Sequence, residues 1–450
     1  MRTPGTLDDR PRNAEYPRPL YAWYAMGVVC LAYVFGFMDR IIVGLLTPAI
    51  QADIGLTDSQ MGIIQGLAFA VFYTLFGLPI GWAADRTNRK WLLTAGTAVW
   101  SIATALCGLS RNFWQLFTAR VGVGVGEATL NPCTASLIGD YFEPKTRPKA
   151  FGVYVMATAF GSALTYLLGG AVIGLVMQDT AFTLPVLGPV AAWQAVFIII
   201  GLAGLIPAVL MAFTVREPKR QNLSKELGAA ASRADTWTFI KLNRRTLICH
   251  NFGVAFVMLA LYGWINWMPT FFLRIHDWEV AKFSVAYGIF GGVTGIISAL
   301  SSGFVTNWFK GRGFRDGAML TVLTGGIGLT ICTVIAPLMP TPVLSLAMFA
   351  TAGLVVNYAP AQALAALNEI TPNQLRGLVV SIYILVIGIG GAGLGPYTVG
   401  WVTDNVFADP QAIHYSMAAV TLVMGVIGCL LLGLGLRPYR ESLSRVDWEQ

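Results

Sequence analysis

From residue 21 onward the chain is a succession of long apolar runs separated by short polar stretches. A helix needs about 20 residues to cross the hydrocarbon of a bilayer, and on that measure the pattern predicts twelve spans. They lie at 21–50, 60–83, 91–109, 113–140, 148–176 and 189–214, then at 246–273, 283–308, 317–338, 342–368, 375–404 and 411–436. Several exceed the minimum, which implies tilt or extension beyond the lipid. The polar stretch 215–245 is the longest between spans and divides them six and six. The expected organisation is a tail at 1–20, a first bundle at 21–214, an interdomain loop at 215–245, a second bundle at 246–436 and a tail at 437–450. The fold class this predicts is an all-α polytopic membrane protein, with twelve transmembrane helices in two pseudo-symmetric six-helix bundles.

Composition agrees with the pattern. Apolar side chains make up 55% of the chain and charged ones only 12%, with a mean hydropathy of +0.63. A soluble domain carries about a quarter charged residues, and a disordered chain is apolar-poor and charge-rich. The net charge of +7 is a topology signal rather than a nucleic-acid footprint. Of the 30 Lys and Arg, 25 fall in segments on one side of the predicted membrane and 3 on the other. Basic loops stay inside, so both termini are expected in the cytoplasm, with the protein in a bacterial inner membrane. The first 20 residues lack the basic-then-apolar order of a secretory signal. A monomer is the default for such an architecture.

Several chemistries are discounted. The six cysteines form no C-x-x-C pair, so neither a metal site nor a disulfide framework is indicated. His250, His276 and His414 are scattered along the chain, which argues against metal ligation. Gly388-Ile-Gly390-Gly391-Ala-Gly393 matches G-x-G-x-x-G but lies within a span, where glycine packing explains it better than a nucleotide. A phosphate-binding G-x-x-x-x-G-K-[ST] loop is absent from the sequence. No cofactor and no enzymatic activity are expected.

The two halves echo one another. Arg147 opens span 5 and is followed by Tyr154 and Gly161 at offsets 7 and 14; Arg376, Tyr383 and Gly390 repeat that spacing in span 11. Gly81 after span 2 corresponds to Gly303 after span 8, although Asp85 becomes Asn307. Two parallel repeats related by an axis along the membrane normal leave a cavity between them and suit alternating access.

Four ionisable residues fall within the predicted hydrocarbon, all in the first half: Asp39, Arg40, Arg120 and Glu127. Each costs about 2.5–3.5 kcal/mol near the bilayer centre on insertion scales, so such residues mark working sites. Arg120 and Glu127 are seven apart and share one helix face. Asp39 and Arg40 lie about 100° apart around theirs, so one at most points squarely into the cavity. Gly122, Gly124 and Gly126 allow close helix approach around the cluster. A carboxylate balanced between a dry cavity and a nearby cation can gain and lose a proton. Glu127 is therefore the expected proton carrier and Arg120 its partner and a contact for an anionic head. Asp39 is the second acid, competing for Arg120, and Arg40 a structural or gating neighbour.

The loop Gly81-Trp-Ala-Ala-Asp85-Arg86-Thr-Asn88-Arg89-Lys90 resembles the loop signature of the major facilitator superfamily. Within that superfamily, four stretches resemble the Spinster-type branch. They are Met38-Asp39-Arg40, Arg120 through Gly126-Glu127-Ala128, Asp140 through Arg147, and Trp267-Met-Pro269-Thr-Phe-Phe-Leu. Span 11 ends near the family's proline at Gly395-Pro396 but lacks the buried acid that eukaryotic relatives often carry before it. The resemblance implies a major facilitator fold, proton coupling through the membrane acids, and lysophospholipids or sphingoid-type lipids as substrates. It also implies a cytoplasmic latch, in which Asp85 with Arg86 and Arg89 meets the N-terminus of span 11 around Arg376 and Gly377. Gly81, Arg147 and Arg376 belong to the same expected gate.

The second half places no Asp, Glu, Lys or Arg deep in its spans. Tyr262, Trp264, Asn266, Asn357, Tyr358 and Gln362 are its candidates for the cavity wall. A cavity charged on one side and apolar on the other suits an amphipathic solute. The predicted function is a proton-coupled secondary transporter of a lipid-like molecule, with protons and the bilayer as the other partners. The alternative is a small organic anion held by Arg120.

Overall fold

The computed structural model describes residues 16–176, 181–184, 188–220, 233–372 and 374–446. The first fifteen residues of the predicted tail, the middle of the interdomain loop and the last four residues lie outside them. The described residues form twelve helical rods. In the first half these are α1 (Pro19–Ile54), α2 (Asp58–Arg86), α3 (Arg89–Cys107), α4 (Phe113–Glu127 and Leu130–Tyr141), α5 (Arg147–Leu164, running on to Val176) and α6 (Ala192–Thr214). In the second half they are α7 (Arg233–His276), α8 (Val280–Gly311), α9 (Gly317–Ile335), α10 (Pro342–Gly353 and Tyr358–Ile370), α11 (Arg376–Phe407) and α12 (Ile413–Val446).

Among the described residues nine of these rods are long and apolar enough to cross a bilayer on their own composition. The other three are α3, α4 and α5. Two departures from the sequence pattern stand out. The rods α7 and α12 run well past the apolar stretch into polar sequence, back to Arg233 and on to Val446. A two-stranded antiparallel hairpin, β1 (Ala181–Leu184) and β2 (Gly188–Ala191), stands between α5 and α6, in the connection between spans 5 and 6 and across the first residues expected of span 6. Strand segments this short leave no periodicity to read.

Caps define the boundaries where the loops are tight. Gly55 ends α1 in the left-handed region at φ 67°, a conformation that glycine adopts without steric cost. Thr57 and Gln60 close a reciprocal capping box at the start of α2. Asn88, inside the Gly81–Lys90 loop, accepts from the Trp91 N–H at 3.1 Å and so starts α3.

The halves are duplicates in packing as well as in length. In the first, α1 lies against α5 and α6, α2 against α4, and α3 against α4 and α6; in the second, α7 lies against α11 and α12, α8 against α10, and α9 against α10 and α12. The fourth helix of each half is broken mid-way, and the fifth of each carries a π-helical turn, at Thr165–Gly169 and Gly388–Gly393. The duplicated arginines also do one job. The Nε of Arg147 donates to the Phe142 carbonyl at 3.0 Å, and that of Arg376 to the Thr371 carbonyl at 3.3 Å. Each therefore caps the C-terminus of the preceding helix from five residues on, where orphan carbonyls and the helix dipole favour a cation.

The halves meet along α1–α7, α2–α11 and α5–α8. The α2–α11 contact is backbone to backbone: a Cβ on Gly62 would fall 2.6 Å from Tyr397 Cα, and one on Gly66 would strike the Gly393 carbonyl. Small residues are what permit helices to approach so closely without a water-driven core. Thr74 meets Gly388 at the crossing, whereas a Cβ on Gly77 or Gly377 would touch nothing. The two rods thus pack from that crossing to one face and separate toward the other, the face on which Asp85 and Arg376 lie. The α5–α8 pair follows suit, in contact from Gly170–Ser284 to Ala163–Gly292, while Gly152 and Gly295 meet nothing.

Candidate functional site

The four membrane charges converge, but not in the pairing that spacing suggests. Arg40 takes Glu127: its Nε donates to Glu127 Oε2 at 2.7 Å and its Nη2 lies 2.5 Å from the same oxygen. Arg120, expected to be the partner of Glu127, instead donates from Nη1 to the backbone carbonyl of Asp39 at 3.2 Å. The reason is rotational. Arg40 sits where α1 faces α4, one turn after Gly36, from which a Cβ would make ordinary contact with the Glu127 carboxyl at 3.5 Å.

Exposure assigns different roles to the two cations. Arg120 is 1% exposed and Glu127 0%, whereas the Arg40 side chain keeps 29%. Arg40 therefore faces the space between the halves, and Arg120 is sealed within the first. Glu127 Oε1 and Arg120 Nε are both buried without a hydrogen-bond partner. Asp39, also buried, feels Glu127, Arg120 and Arg40 electrostatically. The glycines of α4 supply the closeness that they promise: a Cβ on Gly124 would press on the Phe69 carbonyl and one on Gly126 on the Trp100 N–H.

Around the Arg40 guanidinium stand three aromatic rings, Phe69 at 4.6 Å, Tyr73 at 5.1 Å and Phe37 at 5.5 Å. Such faces hold a desolvated cation in place. Tyr73 accepts from Asn131 Nδ2 at 2.7 Å, and Tyr154 donates to Asn131 Oδ1 at 2.6 Å. Tyr33 packs edge-on to Tyr154 with ring centroids 4.9 Å apart. This aromatic and amide wall was not picked out from sequence. Its signal was present, since Tyr33, Phe37 and Arg40 recur at helical spacing on one face of α1.

The six residues nominated for the second half divide. Tyr262 is 37% exposed, and it lies within electrostatic reach of Arg40 and Tyr73 across the interface. Trp264 is 1% exposed and stacks on Phe349, so it is core and not wall. Asn266 donates to the Tyr262 carbonyl, and its own carbonyl packs on Gly44. Asn357, Tyr358 and Gln362 bond to Gly295, Ser301 and Ser302 and so pin α10 to α8.

The expected latch is apart. Arg220 from the interdomain segment donates to the Asp85 and Ala84 carbonyls, the Arg86 guanidinium lies over Trp82 at 4.4 Å, and Gly81 reaches only Pro132 of its own half. Arg89 is buried and turned inward. It pairs with Asp140 and with Glu217 at 2.7 Å, and bonds Ser136 Oγ at 2.9 Å. It thus clamps α3 and α4 to the strap that follows α6. Removing one member of a buried pair costs about 3–5 kcal/mol. Arg89→Ala is accordingly expected to lower the unfolding midpoint of the detergent-solubilised protein by several degrees. Arg89→Lys should recover only part of it, because a single ammonium cannot serve both carboxylates in fork geometry; differential scanning fluorimetry reads both.

The opposite face is held shut by residues that sequence reasoning missed. Arg274 makes a bidentate bond to Asp58, at 2.9 and 3.0 Å, and also donates to Gln51 Oε1 at 2.9 Å. Asp404 accepts from the backbone N–H groups of Asp58 at 3.3 Å and Ser59 at 2.7 Å. A carboxylate from α11 therefore sits on the N-terminus of α2, where free N–H groups and the dipole favour an anion. This is the interaction anticipated for Asp85 and α11, made by the partner elements at the other end. Trp267 adds a bond from its indole N–H to the Pro396 carbonyl at 2.8 Å.

Residues 29–364 match the description of the Major Facilitator Superfamily. The chain belongs to that family. An efflux pump of the same type from Mycolicibacterium smegmatis is 25% identical over 96% of both chains. A hexuronate transporter from Bacillus subtilis is 25% identical, covering 88% of this chain and 94% of its own. Among solved structures, a bacterial homolog to the human lysosomal transporter Spinster, in an inward-facing and unoccupied conformation, superposes with a TM-score of 0.80. It is 25% identical over 95% of this chain and 99% of its own. The resemblance to the Spinster-type branch is thereby borne out. The superfamily transporter described here is a multi-pass membrane protein, parted on the face that carries Asp85 and Arg376 and tied on the face that carries Asp58 and Arg274.

Proposed function

We propose that this transporter moves an amphipathic, lipid-like solute by alternating access, driven by protons taken up and released at Glu127. The observation that supports this above all is the Arg40–Glu127 pair: a fully buried carboxylate whose only bonded partner among the described residues is a cation open to the cavity. Protonating Glu127 removes the charge that holds Arg40 and lets the guanidinium turn toward a solute. Losing the proton re-forms the pair and ejects the solute. In this reading both termini are cytoplasmic, the separated face opens to the cytoplasm, and Asp39 is a second acid that shares the field of Arg120.

The lipid-like character follows from the asymmetry of the walls, charged and aromatic on the first half and apolar on the second around Tyr262. The kinship with a hexuronate transporter keeps a small organic anion as the second reading, with Arg40 rather than Arg120 as its contact, because Arg120 is sealed. Proteoliposomes under an imposed pH gradient separate the two. Accumulation of a lysophospholipid but not of a hexuronate supports the first; the reverse supports the second. Neither solute responding to the gradient would refute the coupling.

A further inference from the structure

We propose that Tyr73 is a specificity-determining residue of the cavity, whose hydroxyl donates to an oxyanion on the polar head of the solute beside Arg40. Hydrogen-bond direction in the Tyr154–Asn131–Tyr73 chain carries this assignment, which also rests on the reading of the solute as amphipathic. Tyr154 has one proton, and its hydroxyl gives it to Asn131 Oδ1 at 2.6 Å. That bond fixes the amide, so that Nδ2 points to Tyr73 and donates to its oxygen at 2.7 Å. With its oxygen engaged as an acceptor, the Tyr73 hydroxyl retains its own proton to give.

Position makes that donor useful. Asn131 is exposed and Tyr73 partly so, and the Tyr73 ring lies 5.1 Å from the Arg40 guanidinium carbon. Phe69 stacks on Tyr73 at 5.3 Å and holds the ring plane. A phosphate or carboxylate approaching Arg40 through the cavity would meet a charged fork and a neutral O–H side by side. Among the described residues the carboxylate paired with Arg40 is that of Glu127, which is itself buried. A cationic head would therefore meet a repelling guanidinium and a hydroxyl aimed proton-first.

The test uses binding alone, so it does not depend on transport. Radiolabelled octyl phosphate and octyltrimethylammonium are bound to the purified full-length protein, wild type, Tyr73→Phe and Asn131→Leu. Tyr73→Phe keeps the ring over Arg40 and deletes only the hydroxyl. A hydrogen bond to a charged group is worth on the order of tenfold or more in affinity. Octyl phosphate binding should fall by about that factor in Tyr73→Phe, and by less in Asn131→Leu, which frees the hydroxyl rather than removing it. Binding of octyltrimethylammonium, already weak, should not change. Wild-type binding of octyl phosphate that Tyr73→Phe leaves intact overturns this assignment while sparing the amphipathic reading. An equal loss for both probes makes Tyr73 a packing residue and also overturns it. Wild type that binds neither probe overturns both readings together.

Discussion

Glu127→Gln is expected to reduce pH-driven accumulation of solute in proteoliposomes to the level of protein-free vesicles, while exchange of solute down its own gradient continues. Glutamine keeps the shape and a carbonyl acceptor for Arg40 but neither gains nor loses a proton. The sign of the effect follows from the pair. Acidification neutralises Glu127, weakens its hold on Arg40 and favours solute capture; the glutamine variant is fixed in that neutral form at every pH. Uptake driven by a solute gradient should therefore lose its pH dependence rather than stop. Arg40→Ala should differ, since it leaves a fully buried carboxylate without its bonded cation. Such a group neutralises itself or costs several kcal/mol, so expression or stability should suffer as well as transport. A Glu127→Gln protein that still concentrates solute against a gradient would remove Glu127 from the coupling path.

Arg274→Ala is expected to release the closed face. Asp58 is 2% exposed in its ion pair and Arg274 13%, so the bond is largely withdrawn from water. Deleting Arg274 strands the Asp58 carboxylate in the closed state at a cost of about 3 kcal/mol. In the state open at that face, water takes the place of the cation. At 1.4 kcal/mol per tenfold, the conformational equilibrium should shift by about a hundredfold. Single cysteines at Gln51 and Gln411, on a background lacking the native cysteines, would report it through faster maleimide labelling. Cysteines near Gly77 and Gly377 should label more slowly in the same variant, because opening one face closes the other. Unchanged labelling at both ends would show that Asp404 on the α2 N-terminus holds that face without Arg274.

Much of the architecture was legible from the chain. Each of the twelve predicted spans has its rod, since the length of a spanning helix is set by the hydrocarbon and the identity of its residues by the cost of burying charge. The duplicated Arg147 and Arg376 were readable as a pair, and the structure gives that pair one shared task at the ends of α4 and α10. What sequence spacing could not supply was rotation about a helix axis. Arg120 and Glu127 share a face of α4, and from that alone a mutual pairing looks natural. Which residue of the neighbouring rod reaches Glu127 depends on how α1 is turned, and here it is turned so that Arg40 arrives.

The same limit explains the misplaced candidates of the second half. Trp264, Asn357 and Gln362 have the polarity of cavity residues, yet one is buried against Phe349 and two spend their amides pinning α10 to α8. It also explains the missed gate. Arg274 sat in a loop that topology counted merely as one of three outside charges, and Asp58 and Asp404 lie at helix ends 346 residues apart. Nothing local to any of them marks a contact with another half.

Taken alone, then, the amino-acid order determined a membrane protein of twelve helices in two related halves, and it singled out the four charges within the spans. Those properties depend on transfer energies and helical periodicity, which act over neighbouring residues. The tertiary structure decided which cation holds Glu127, which cation keeps exposure between the halves, and which face is tied. Those depend on the angle and depth at which separate helices meet, and close glycine approaches such as Gly62 with Tyr397 and Gly66 with Gly393 set them only once the rods have packed.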